Sequence, residues 1–237
     1  MRLDRLLSNM GVGSRKEVKK LISAGTVTVD GVTQKNPETE VSEDSDVRAA
    51  GRKITYKRFV YLMMNKPGGV ISAVRDEHGD VVAADLVGED YNFYGLSPAG
   101  RLDKDSEGLL ILTNDGDFIH GIISPGRHVD KKYYIEAEGE FTEADCRSFE
   151  KGITLGDGYV CLPARLEIIE SQDGKSRAYV TVHEGKFHQV KRMAAACGKK
   201  VTYLKRVSVG SVLLDEGLKP GAYRELTEEE LRLLKRN

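Results

Sequence analysis

The chain has no long apolar run. Nowhere in its 237 residues is there the stretch of about 20 hydrophobic side chains that a bilayer span needs. The opening Met1-Arg2-Leu3-Asp4 lacks the apolar segment of a secretory signal. The expectation is a soluble, cytoplasmic protein with no membrane association. Cysteine is scarce: Cys146, Cys161 and Cys197 lie far apart with no Cys-x-x-Cys spacing, which argues against a disulfide framework or a zinc site and for ordinary thiols in a reducing compartment. Internal repeats and low-complexity segments are absent as well. Net charge is almost absent, at -1, but the sum hides an asymmetry. Within the first twenty residues Arg2, Arg5, Arg15, Lys16, Lys19 and Lys20 face only Asp4 and Glu17, whereas residues 37–47 carry Glu38, Glu40, Glu43, Asp44 and Asp46. One face suits a polyanion and another stays in water. The length allows one good-sized core plus a small module, and not three full domains.

The N-terminal region has readable local chemistry. Leu3, Leu6, Leu7 and Met10 recur at helical spacing, with Gly11 as a stop. Ser14 followed by Glu17 is a capping-box pattern that opens a second helix with Val18, Leu21 and Ile22 on its apolar side and Gly25 as its end. Arg15, Lys16, Lys19 and Lys20 lie off that stripe and make a basic surface. Residues 26–29, then Asp30-Gly31, then Val32 are a hairpin signal with a two-residue turn. Residues 49–58 are polar enough to be a linker, which predicts domains at 1–56 and 57–237.

In the second region the apolar run 59–64 is broken by Asn65-Lys66-Pro67-Gly68-Gly69. Residues 109–112 form an apolar run bounded by Gly108 and by Asn114-Asp115-Gly116, which predicts a buried strand ending in a tight turn. Asp103 then sits on the loop feeding a core strand, where a rigid scaffold holds reactive side chains. Residues 132–137, 164–170 and 177–182 read as strands, the last two joined at Asp173-Gly174. Helices are expected over 143–151 and 187–197, and Thr227 with Glu230 caps a terminal one. The absence of a βαβ rhythm favours an α+β fold with a mostly antiparallel mixed sheet and flanking helices. On the helix from 187, Val190, Met193, Ala194 and Cys197 make the buried stripe, and His188, Lys191 and Arg192 project together. Tyr133 and Tyr134, adjacent on a strand, point to opposite faces. On carboxylate count alone Asp103, Asp105 and Asp115 could suggest a metal-dependent nuclease, but Asp115 lies at the far end of the strand from the other two.

Several of these segments resemble known families. Arg2-Leu3-Asp4-Arg5-Leu6-Leu7, Ser14-Arg15, Leu21-Ile22-Ser23-Ala24-Gly25 and Val27-Thr28-Val29-Asp30-Gly31 resemble an S4 domain, which binds structured RNA through two short helices and a small sheet. Gly100-Arg101-Leu102-Asp103, followed by 104–116, closely resembles the catalytic loop of the pseudouridine synthases. The resemblance implies that Asp103 is the nucleophile and that Arg101 supports the site. Asn65-Lys66-Pro67 and Lys131-Lys132-Tyr133 match earlier and middle motifs, implying that Tyr133 stacks on the target base. His188-Gln189-Val190-Lys191 matches a third motif, whose basic residue, here Lys191, pairs with the catalytic carboxylate. Leu204 matches an apolar residue that closes the pocket. The same resemblance, with the basic surface, implies RNA contacts at Arg2, Arg5, Arg15, Lys16, Lys19, Lys20, His188 and Arg192. It covers residues 2–224 or so, and Glu107 departs from it, since relatives carry a small residue there.

The order of domains and the form of the third motif look most like the branch that acts on small-subunit (16S) ribosomal RNA, whose family site is uridine 516. The implied reaction breaks the bond from ribose to base nitrogen, rotates the base and rejoins it through carbon, which needs no metal and no organic cofactor. The implied partner is ribosomal RNA or the assembling small subunit, met by a monomer. Two other readings remain open here: a synthase acting on large-subunit RNA, and a ribosome-assembly factor that binds RNA without catalysis.

Overall fold

The computed structural model describes residues 1–76 and 79–235. The chain divides into two compact units, residues 1–60 together with 88–95, and residues 61–87 together with the chain from 96 onward.

The first unit opens with α1 (Leu3–Asn9) and α2 (Arg15–Ser23). The capping box at the start of α2 is formed: the Glu17 amide donates to Ser14 Oγ and the Ser14 amide to Glu17 Oε2. Four short strands follow, β1 (Val27–Val29), β2 (Val32–Gln34), β3 (Val47–Ala49) and β4 (Arg52–Ile54), in the antiparallel order β2-β1-β3-β4. Leu3, Leu6 and Leu7 pack with Val18, Ile22, Val27 and Val47 as its core. Asp30 and Gly31, both at positive φ, turn β1 into β2. Ala50 and Gly51 do the same between β3 and β4, so residues 49–54 are turn and strand rather than the linker expected there. The acidic loop folds back onto the chain start: Glu38 pairs with Arg2 at 2.9 Å and Glu40 with the terminal ammonium at 3.1 Å. A helical turn, α3 (Glu89–Asn92), lies in the segment 88–95 that groups with this unit. There Phe93 stacks on Tyr94, and the Tyr94 hydroxyl reaches Met10 Sδ at 3.6 Å.

The second unit is built on a nine-stranded sheet with flanking helices. Its strands are β5 (Tyr61–Lys66), β6 (Ser97–Pro98), β7 (Glu107–Thr113), β8 (Lys131–Glu138), β9 (Arg165–Gln172), β10 (Lys175–Val182), β11 (Lys200–Val209), β12 (Val212–Leu213) and β13 (Tyr223–Glu225). Its helices are α4 (Gly116–Ile123), α5 (Glu143–Lys151), α6 (Gln189–Ala196) and α7 (Glu228–Lys235). The strand order is β13-β5-β7-β11-β8-β10-β9, with β6 beside β7 and β12 beside β11. The pairing is antiparallel except between β7 and β11, as the α+β reading with a mostly antiparallel sheet requires.

The strand β7 sits inside this sheet, and Leu109, Leu110, Ile111 and Leu112 are all fully buried. Burial on both faces explains its unbroken apolar run. Beyond it, Asn114-Asp115-Gly116 is not a strand-ending turn but a helix start. Asp115 caps α4 by accepting from the Phe118 amide at 3.1 Å, and it also accepts from the Tyr61 hydroxyl at 2.6 Å. Asp115 is thereby occupied, away from Asp103 and Asp105. Among the described residues no group of three or more His, Cys, Asp or Glu side chains could hold a metal ion.

Candidate active site

The loop before β7 is fixed at four successive residues, each through the backbone. The Arg101 carbonyl accepts from Arg206 Nη1 at 3.4 Å, and the Leu102 amide donates to Ser72 Oγ at 3.1 Å. The Asp103 carbonyl accepts from the Ser106 amide at 3.1 Å. The Lys104 carbonyl accepts from the Gly69 amide at 2.7 Å and from Lys66 Nζ at 3.4 Å. A backbone held this way leaves one free variable, the side-chain rotamer, and the Asp103 side chain stays 29% exposed.

Its neighbours come from the start of α6, some 85 residues on. Lys191 Nζ lies 3.4 Å from Asp103 Oδ2 and 2.6 Å from Asp105 Oδ1, so one ammonium bridges two carboxylates. His188 Nε2 lies 3.7 Å from Asp103 Oδ1. The hydrogen bond from Lys191 holds the Asp105 carboxyl below its ordinary range. Arg192, expected to project with these two, turns away: it pairs with Asp157 at 2.5 Å and donates to the Phe187 carbonyl. The helix itself begins at Gln189 rather than at 187, because His188 takes a left-handed backbone, φ 48° and ψ 34°.

Register locates the remaining candidates. Tyr133 on β8 pairs with Arg206 on β11, Ile135 pairs with Leu204, and Arg206 pairs with Gly108 at the start of β7. Residues directly opposite share a face, so Tyr133, Leu204 and Arg206 lie on the face whose Arg206 grips the Asp103 loop. Tyr133 and Leu204 are both buried. Tyr134, Tyr203 and Glu107 belong to the other face by alternation. There the Tyr203 hydroxyl donates to Glu107 Oε2 at 2.8 Å, and the Tyr134 and Tyr203 rings meet edge-on. Glu107 is therefore tied down behind the sheet, and burial together with this bond pushes the Tyr203 phenol upward. Arg101 is exposed at the mouth of the loop.

Two cations beneath the loop are buried, which the sequence reading did not anticipate. Arg206 is 2% exposed and donates through Nε to the Leu109 carbonyl at 2.7 Å. Lys66 is fully buried and donates to the Pro67 carbonyl at 2.8 Å. Burial lowers the Lys66 ammonium to about 8, with Glu107, Asp105 and Asp103 pulling in the opposite direction. Their one sequence signal is a cation within an apolar strand.

In the first unit Arg5, Arg15, Lys16, Lys19 and Lys20 are exposed, the last four all on α2. Arg2 instead spends its guanidinium on Asp4, at 2.8 Å, and on Glu38.

A buried sheet, a carboxylate on a pinned loop and a cation facing it from a distant helix define the class. Residues 60–196 match the family model of RNA pseudouridylate synthases, and residues 1–47 match that of the S4 domain. The chain belongs to the RNA pseudouridylate synthase family and is an RNA pseudouridine synthase with an N-terminal S4 domain. It is 48% identical to an uncharacterised RNA pseudouridine synthase of Bacillus subtilis, YtzG, over 99% of this chain and 98% of that one. It is 41% identical to the ribosomal small subunit pseudouridine synthase A of Vibrio cholerae, over 98% of each. A crystal structure of a pseudouridylate synthase superposes with a TM-score of 0.69 at 33% identity, covering 99% of both chains.

Proposed function

We propose that this enzyme isomerises a uridine of small-subunit ribosomal RNA, at the branch site uridine 516, with Asp103 as the nucleophile. The observation that carries the proposal is the Asp103 loop, anchored at four consecutive residues while its carboxylate faces Lys191 and His188. A nucleophile so held spends little entropy in reaching its target. The Vibrio cholerae relative, matched over nearly its whole length, supports the small-subunit branch.

The uridine leaves its helix and enters beside Tyr133, whose ring stacks on the base, while Leu204 keeps water out. Asp103 adds to the nucleotide as an ionised carboxylate, with Lys191 balancing its charge. The ribose-to-nitrogen bond breaks, the base turns, C5 bonds to the anomeric carbon, the bond to Asp103 breaks to return the free carboxylate, the C5 proton passes to solvent and the freed ring nitrogen takes one proton up. Atoms and electrons balance within the one nucleotide. Arg101 at the loop mouth meets the RNA backbone. Arg5, Arg15, Lys16, Lys19 and Lys20 of the S4 unit supply phosphate contacts that offset the few kcal/mol of unstacking.

The test is tritium release from RNA labelled at uridine C5, offering small-subunit and large-subunit ribosomal RNA separately, with the Asp103→Asn variant beside the natural protein. Release from small-subunit RNA alone, abolished by the substitution, is the expected result. Release from large-subunit RNA overturns the substrate, and undiminished release by Asp103→Asn overturns the nucleophile.

A further inference from the structure

Phe187 is the most exposed large hydrophobic side chain among the described residues, at 74%. A single exposed phenylalanine means little by itself; its mounting is what matters. Its ring lies flat on the His188 imidazole, centroids 3.8 Å apart and planes inclined by 19°. The other edge of that imidazole reaches toward Asp103. One face of the phenylalanine is thus covered and the other is open beside the nucleophile.

The backbone under the ring is held as firmly as the catalytic loop. Glu184, 4% exposed, accepts from the Tyr159 hydroxyl at 2.6 Å, the Leu162 amide at 2.9 Å and Gln189 Nε2 at 2.9 Å. Gln189 Oε1 in turn accepts from the Lys186 amide at 3.0 Å, and Arg192, locked to Asp157, donates to the Phe187 carbonyl at 3.3 Å. The left-handed turn at His188 precedes the first turn of α6, and the Phe187 ring just before it is exposed. Its neighbouring cations are themselves held in place: Lys191 bridges Asp103 and Asp105, Arg192 pairs with Asp157, and Lys186 lies over the Tyr159 ring. A rigid, flat, open aromatic face mounted beside the candidate nucleophile is the chemistry that recognises an unstacked base.

We infer that Phe187 is a stacking platform for the base next to the target uridine. The inference rests on the proposed function, since it takes the occupant to be RNA with one nucleotide turned out. When the uridine leaves, its neighbour loses a stacking partner. The column of Phe187 on His188 replaces that partner, so part of the cost of extrusion is returned at the same site. Phe187 acts on binding and base extrusion and touches no reacting atom.

The experiment is a fluorescence titration of single-stranded RNA carrying 2-aminopurine on either side of one uridine, at fixed salt. It compares the full-length protein with Phe187→Leu and Phe187→Trp. The exposed side chain lets all three fold, which circular dichroism verifies. Expected are quenching by the natural protein, its retention with tryptophan, and its loss with leucine, together with an affinity loss of between about five-fold and about a hundred-fold. Leucine is apolar but not flat, so affinity and quenching equal to the natural protein's would reduce the contact to simple apolar burial and overturn the inference. Absence of quenching by the natural protein overturns it too. Tritium release measured alongside reports on the parent function separately, because stacking is read here without turnover.

Discussion

Replacing Gly108 by alanine is the sharpest probe of how the sheet carries the Asp103 loop. Gly108 has φ +100°, and a Cβ built there lies 2.2 Å from the Arg206 carbonyl oxygen, 2.8 Å from its nitrogen and 2.9 Å from Lys205 Cγ. The first two are backbone atoms of β11, which pairs with β7 at this residue. They cannot retreat without opening the only parallel step described in the sheet and the Arg206 bond to Leu109. A positive φ for alanine costs about 1–3 kcal/mol, and forcing atoms into a filled space costs about 1–3 kcal/mol more. The sum, about 2–6 kcal/mol, is a large part of a total stability of about 5–15 kcal/mol. With a slope near 2 kcal/mol per molar, the urea midpoint falls by roughly 1–3 M. Gly116→Ala is the comparison, since Gly116 opens α4 and a Cβ added there meets nothing within 4 Å; it stays within about 0.5 kcal/mol of the natural chain. Circular dichroism in urea reads both. If Gly108→Ala remains folded, its loop shifts by about 1 Å and turnover drops on the order of 100-fold. A midpoint and a turnover both equal to those of Gly116→Ala would refute the reasoning.

Three further expectations concern charge. Lys66 and Lys131 are each lowered by burial to about 8 from an ordinary 10.5. Below pH 8 both folded and unfolded chains keep these protons and the folded chain bears the burial cost. Between pH 8 and 10.5 the folded chain sheds them first, so stability climbs by up to about 1.4 kcal/mol per pH unit for each lysine. Urea midpoints measured from pH 7.5 to 9.5 should rise less steeply in Lys66→Met, and an unchanged slope removes Lys66 as a source. Lys191→Met leaves Asp103 and Asp105 facing each other without the ammonium that bridged them. The Asp105 carboxyl then titrates higher, as carboxyl carbon NMR will read, and tritium release falls on the order of 100-fold; full turnover in this variant would exclude Lys191 from the site. Replacing Arg15, Lys16, Lys19 and Lys20 together by alanine lowers the slope of log affinity against log salt for RNA by about 3, if each meets a phosphate. An unchanged slope takes the outer side of α2 off the RNA.

How much of this could be read beforehand depended on whether the signal was local. The strand at 109–112 was legible because a strand buried on both sides shows as an unbroken apolar run. The capping box at Ser14 and Glu17 was legible because both partners lie within one turn. The same local rules erred where one dipeptide serves two purposes. Asp115-Gly116 reads equally as a turn or as a helix cap, and the outcome rested on Phe118 and Ile122 beyond it, both buried in the core. Ala50-Gly51 makes a hairpin without the Asn or Asp that announces one, so β4 reads as linker. Helical periodicity runs two residues past the true start of α6 because a left-handed φ at His188 leaves no trace in hydrophobic spacing. Family wording brought Asp103 and Lys191 together; composition and period contain nothing about a contact between residues 88 apart in the chain.

The burial of Arg206 and Lys66 was illegible for a more instructive reason. In sequence each is one more cation in a chain rich in them, and the usual inference is a solvated end. The structure shows what such an inference omits: a loop that points one side chain outward must turn several carbonyls inward, away from water. Those carbonyls need donors. A neutral donor would serve hydrogen bonding alone, whereas Arg206 beneath Arg101 and Leu109, and Lys66 beneath Pro67 and Lys104, also set positive charge under a carboxylate. The arrangement costs stability, since Arg206 pushes against both Lys66 and Lys131. Isolated buried cations are disfavoured unless their surroundings compensate. Here the compensation is a set of carbonyls, those of Leu109 and Pro67 at short range and those of Arg101 and Lys104 in the loop at 3.4 Å, so a shift of the loop backbone also disturbs the partners of both cations. Rigidity and charge are thus supplied by the same atoms.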